Sequence, residues 1–124
     1  MKKVIMLLSV LFVLSCEKED NYIEPLNDIG ACGYSDPLNQ LTWLYEIVNK
    51  ASTDNSGNYQ GSIWIVKQGK TDCIVTDMAF GSGGIYHYYF DCSGNALTLE
   101  ELDFDQIESS LVDSNMIFST IYKK

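Results

Sequence analysis

Thr71-Asp72-Cys73-Ile74-Val75-Thr76-Asp77-Met78-Ala79-Phe80, Gly81-Ser82-Gly83-Gly84, Ile85-Tyr86-His87-Tyr88-Tyr89-Phe90-Asp91-Cys92 reads as strand, loop, strand. β-Branched and aromatic residues fill both arms, and a glycine-serine run joins them. Placing Phe80 opposite Ile85 sets Cys73 opposite Cys92. Opposed residues of an antiparallel pair have Cα atoms about 4.5–5.5 Å apart, within the reach of a disulfide. The same register puts His87 opposite Met78, on the face away from both cysteines.

Upstream, Tyr59 to Lys67 reads as another strand, with Gln68-Gly69 as a two-residue turn into Lys70 to Met78. That turn sets Trp64 opposite Cys73. Downstream, Ser93-Gly94-Asn95 turns the chain and Ala96 to Leu99 reads as a short further strand. Parity then divides the sheet. Trp64, Val66, Val75 and Phe90 form one side, and Ile63, Ile65, Met78, His87 and Tyr89 the other. The second side is not polar, so it is either covered by a helix or left as a binding patch.

Before the sheet, Asp36 is placed to cap a helix with Pro37 at its first position. Leu38, Leu41, Leu44, Tyr45 and Val48 recur at helical spacing up to Lys50. After the sheet, Asp103 and Gln106 have the spacing of a capping box, followed by Phe104, Ile107 and Leu111. Met116 to Tyr122 is a terminal strand. The predicted class is α+β: a small antiparallel β-sheet of about four to five strands, an N-terminal helix packed on one face, and a short second helix before the last strand.

The chain has 124 residues, enough for one domain. Its start is an address rather than a fold. Lys2 and Lys3 precede the apolar run Val4 to Leu14, which is too short to span a bilayer and suits a secretory signal. Val13-Leu14-Ser15-Cys16 follows and resembles the lipobox of bacterial lipoproteins, a resemblance that implies cleavage after Ser15 and diacylation of Cys16. The expected organisation is 1–15 signal peptide, 16–31 acylated N-terminus and flexible tether, and 32–124 a single domain. Diacylation of Cys16 would hold the chain in the lipid bilayer. Seventeen acids against eight lysines, with no arginine, argue against nucleic acid as a partner and against electrostatic attraction to anionic lipid.

With Cys16 spent on lipid, Cys32, Cys73 and Cys92 remain, an odd number in an oxidising compartment. One intrachain bridge is possible. Strand register favours Cys73–Cys92; Cys32–Cys73 and Cys32–Cys92 stay open. No C-x-x-C spacing supports a metal centre, and no cofactor motif is present. Gly81-Ser82-Gly83 lacks the strand-to-helix setting of a nucleophile elbow. No catalytic residue is assigned, and the chain reads as a non-enzyme. The aromatic run supplies the candidate interaction surface, Tyr86, His87 and Tyr89.

Lys18-Glu19-Asp20 looks like the surface-export signal of Bacteroidota lipoproteins. Cys32-Gly33, Asp36-Pro37-Leu38, Leu41-Thr42-Trp43-Leu44 and Glu46-Ile47 are similar to a pattern of small Bacteroidota surface lipoproteins, with Thr42 where that pattern carries proline. Tyr89 to Asn95 resembles their strand-turn, whose C-x-G-N is matched by Cys92 to Asn95. The resemblance spans roughly Cys32 to Leu97. It implies an outer-membrane, surface-exposed location and a fold, and no activity. It also marks Cys32 as a family feature, which weighs somewhat against Cys73–Cys92. The expectation is therefore a membrane-anchored binding module with an unknown protein or glycan partner. The alternatives are a secreted-protease inhibitor using the loop Ala79 to Ile85, and an envelope structural or assembly accessory.

Overall fold

A computed structural model describes residues 22–81 and 87–121. Gly69, at φ +63°, opens the two-residue turn that closes the central hairpin. β1 (Ser62–Gln68) and β2 (Thr71–Thr76) pair so that Gln68 faces Thr71, Val66 faces Cys73 and Trp64 faces Val75. The turn is thus Gly69-Lys70 rather than Gln68-Gly69. A two-residue shift keeps every side chain on its expected face, because the strand period is two. β3 (Tyr88–Phe90) lies on the outer side of β2, and β4 (Met116–Ser119) on the outer side of β1. All pairs are antiparallel, in the order β3-β2-β1-β4. With its helices the molecule is a small α+β fold.

β3 is displaced by one residue from expectation. Ile74 faces Phe90 and Val75 faces Tyr89. β2 ends at Thr76, and Phe80 has already left the strand with φ +49°, its N–H donating to Asn58 O. Phe80 therefore does not anchor the register. An odd shift exchanges the faces. Tyr89 joins Trp64, Val66, Cys73 and Val75, while Phe90 joins the face of Ile63, Ile65 and Ile74.

The expected single helix is two. α1 (Pro37–Gln40) and α2 (Thr42–Ala51) are separated at Leu41, whose ψ of 110° is extended. Asp36 does not cap with its carboxylate. Its carbonyl accepts from Asn39 and Gln40 N–H, and its own N–H donates to Gln40 Oε1. The break at Leu41 resets the helical phase, so Leu38, Leu41, Leu44 and Val48 all reach the sheet. They cover Ile63, Ile65, Ile74, Met78 and Ile117, so the apolar side expected to be either covered by a helix or left as a binding patch is helix-covered.

The other face is closed by α3 (Phe104–Ser109). Asp103 Oδ1 accepts from Gln106 N–H, as the capping spacing predicts. The reciprocal bond is replaced: Gln106 Nε2 donates to Lys67 O, and Asp103 N–H to Gln68 Oε1. Both bonds tie the helix start to β1. Ile107 is fully buried over Trp64, Val66, Cys73 and Val75. The expected short strand at Ala96 to Leu99 is reduced to one bridge, Phe90–Ala96, and a bond from Leu97 N–H to Tyr89 O. β4 carries a bulge. Ile63 faces Phe118 but Trp64 faces Met116, so Ile117 is the extra residue. Ile117 and Phe118 can then both turn to the α2 side, with Met116 on the other.

Residues 22–31, expected within the tether, are part of the fold. Ile23 is held from both sides by the Asn39 amide, N–H to Oδ1 at 2.9 Å and Nδ2 to its carbonyl at 2.7 Å. Leu26 N–H donates to Ile117 O, and Asn27 Nδ2 to Asp113 O and Met116 O. Ala31 is buried. Leu26 and Asn27, read as spacer, instead satisfy carbonyls on the outer side of β4.

Candidate functional site

Cys16 and Tyr86 lie outside the described residues. Two constellations assemble from the rest.

The first is a corner around the disulfide, which joins Cys32 to Cys92. The favoured pair Cys73–Cys92 is thereby corrected. With Ile74 facing Phe90, the register sets Asp72, not Cys73, at the level of Cys92. Asp72 lies on the α2 side of the sheet, opposite Cys73, and its Oδ2 accepts from Cys32 N–H at 2.6 Å. Lys67 Nζ bridges Asp72 Oδ1 and Gly30 O, each at 2.9 Å. Trp43 Nε1 donates to Cys92 O at 2.9 Å. Gly94, at φ +87°, lies against the Trp43 ring so closely that a Cβ there would stand 2.9 Å from it. The sulfurs of Cys32 and Cys92 and the Asp72 carboxylate fall within 4.8 Å of one another. Bonded to each other, the sulfurs offer no thiolate to a metal.

Partial burial pushes the Asp72 carboxyl up, but the Cys32 N–H bond and Lys67 outweigh it and hold it below its ordinary value. A depressed carboxylate contributes stability above its unfolded value, about 3.9, and loses it as pH falls through the folded value. Urea titrations between pH 7 and 3 will show stability falling at the acid end of that range. Asp72→Asn will flatten the fall. An equal acid dependence in the variant would remove this role.

The second constellation lies under α3. His87 Nδ1 stands 3.2 Å from Glu108 Oε2, linking the foot of β3 to the helix. The His87 ring meets Trp64 edge-on at 5.8 Å and Tyr89 at 6.4 Å; Tyr89 meets Phe104 at 6.2 Å. His87 and Tyr89 share a face, as parity predicts. It is the Cys73 face rather than the opposite one, because of the register shift. Tyr89, expected on an interaction surface, is only 9% exposed. Burial, then Glu108 and Cys73, raise its phenol. What reaches solvent here is the edge of His87 and the Phe104 ring, 46% exposed. Phe104 read as a helix-stripe residue, and nothing in its spacing marked it as the exposed one. Trp64 Nε1 is buried without a hydrogen-bond partner among the described residues. Cys73 is free and buried, and burial pushes its thiol up to about 11, so it is protonated at neutral pH.

The loop from Ala79 to Ile85 is described only at its feet. Phe80 packs on Tyr59, Tyr88 and Phe90, and Tyr88 Oη donates to Ala79 O. Residues 82–86 lie outside the described residues. Among the described residues no helix is long and apolar enough to cross a membrane. Comparison with protein-family models, with curated proteins and with solved structures finds no match to this chain.

Proposed function

We propose that this chain is an exported lipoprotein, anchored in the outer membrane by acylated Cys16, whose domain is a non-enzymatic binding module for a protein or glycan partner. The observation that carries the reading is the Cys32–Cys92 bond. A disulfide accords with an oxidising compartment, where the lysine-led apolar leader would deliver the chain. It also joins the two stretches that carry the family resemblance. Residues from both are spent on the same staple: Trp43 on the Cys92 carbonyl, and Gly94 under the Trp43 ring. A shared pattern used this way supports kinship in fold without shared chemistry. Leu41 lends further support. Its extended backbone is what a following proline would impose, and Thr42 occupies the position where the resembling pattern has proline.

The test is expression of the chain with its own leader. The parent protein will partition into the membrane fraction, and its N-terminal peptide will carry the mass of the acyl groups on Cys16. Cys16→Ser will be released into the soluble fraction. An unmodified Cys16 in the processed protein would overturn the anchor. Proteolysis of intact cells separates surface display from a periplasmic location.

A second reading, a protease inhibitor using the loop Ala79 to Ile85, is favoured by the packing of Phe80 on Tyr59, Tyr88 and Phe90 at the start of that loop. It requires inhibition of at least one protease in a broad panel, and silence across the panel removes it. An envelope assembly accessory is a third reading with no observation of its own.

A further inference from the structure

The segment 22–31 is docked on the fold, Ile23 on Asn39 and Leu26 on Ile117. The docking shortens the link to Cys16. Tyr22 is six residues from Cys16, a reach of about 20 Å at full extension, where a free 16–31 tether would reach about 50 Å. A small domain is about 30 Å across, so the surface around Tyr22 stays nearest to whatever holds Cys16. That surface is apolar. An opening of about 350 Å³ lies between the docked segment and the end of α2. Tyr22, Ile23, Val48 and Phe118 line it, with Asn49 and Ser52, and no charged residue does. Tyr22 is 56% exposed, and Ile121, three residues beyond Phe118, is 77% exposed. The Tyr22 hydroxyl bonds the Asp36 carboxylate, and Glu24 and Asp28 lie within electrostatic reach of it.

We propose that the surface around Tyr22 rests on the zwitterionic lipid surface of the membrane that holds Cys16. This inference rests on the anchored-lipoprotein reading and deepens it by naming the face the domain turns to the bilayer. Lipid is selected on three grounds. The short link keeps the bilayer within reach of the opening, and a gap of at most about 20 Å is too narrow for a second domain of about 30 Å. An apolar opening edged by a tyrosine suits the membrane–water interface, where such amphipathic rings are enriched. The carboxylates beside Tyr22 would be repelled by an anionic lipid and attracted to the ammonium of a zwitterionic headgroup.

The test uses the protein expressed with its own leader, purified from membranes and reconstituted into phosphatidylcholine vesicles with brominated acyl chains. Bromine quenches tryptophan only at short range. Tyr22→Trp keeps an aromatic ring at the opening. Ser93→Trp places the reporter at an exposed turn beside the disulfide. The parent supplies the Trp43 and Trp64 background. Tyr22→Trp will lose most of the emission it adds, and Ser93→Trp none of it. Adding Asn49→Glu to Tyr22→Trp alters an exposed helix position, so the fold is kept; it puts a carboxylate in the mouth and will restore the emission. Brominated phosphatidylglycerol will quench Tyr22→Trp less than phosphatidylcholine does. Equal loss at both reporter positions, no loss at Tyr22→Trp, indifference to Asn49→Glu, or stronger quenching by phosphatidylglycerol would overturn the seat. The mass of the N-terminal peptide is read in the same preparation. An acylated chain with Tyr22→Trp unquenched keeps the anchor and loses the seat. An unmodified Cys16 removes the anchor and the seat with it.

Discussion

Replacing both Cys32 and Cys92 by serine will lower the free energy of unfolding by about 4 kcal/mol, the loop-closure value for a bridge of this span. The bond closes 60 residues of sequence, from the turn before α1 to the end of β3. Opening it restores that loop's freedom to the unfolded chain. A domain of this size has only about 5–15 kcal/mol in total, so the loss approaches the margin. What remains at the corner is weak. The Lys67–Asp72 pair has a lysine 57% exposed, and exposed pairs contribute about 0–1 kcal/mol. Urea unfolding followed by Trp43 and Trp64 fluorescence measures the difference. The serine pair is preferable to a reductant, because Cys73 then stays the same in both samples. An unchanged midpoint would show that packing of Ala31 and Trp43, not the bond, sets the constraint.

Ile107→Ala will cost about 2–5 kcal/mol, the range for truncating a fully buried isoleucine. The value belongs at the upper end if the face does not collapse. α3 has six residues and one wholly buried side chain, so little else holds it down. The bonds from Gln106 to Lys67 O and from Asp103 to Gln68 are exposed. Loss of Ile107 should therefore also loosen α3 locally. Acrylamide quenching of Trp64 will rise, and the His87–Glu108 contact will weaken. A cost below about 0.5 kcal/mol, typical of surface substitutions, would mean that α3 does not close this face.

Periodicity carried the reading of the sheet, and loops limited it. Alternation in β1 and β2 assigned faces correctly even with the turn misplaced, because the error was even. From Asp77 to His87 the chain is long enough to end in either parity, and composition does not count residues into a ladder. The single odd shift of β3 misplaced Tyr89, Phe90 and His87. It also changed the disulfide, since Cys92 then faced the Asp72 level. The α3 start was legible because Asp103 makes its capping bond locally. The docked segment 22–31 was not legible, because its partners, Asn39, Asp113, Met116 and Ile117, are distant in sequence and its own residues have no period. The break at Leu41 was not legible, because the apolar spacing runs through it and Thr42 enforces no break of its own. The aromatic run Tyr86 to Phe90 drew attention to itself, yet Tyr89 and Phe90 serve opposite cores.

The docking of residues 22–31 has a mechanical side. If the domain is held at Cys16, any pull from a bound partner reaches the described part of the domain at Tyr22. It loads the Ile23–Asn39 bonds first and the Leu26 contact with β4 next. If these yield, the chain pays out from Tyr22 to Ala31, roughly 35 Å at full extension. There it meets a covalent stop at Cys32, linked through Cys92 to the far edge of the sheet. The N-terminal segment thus acts as a short shock absorber, and the disulfide as the knot that keeps a tug from unravelling the four strands.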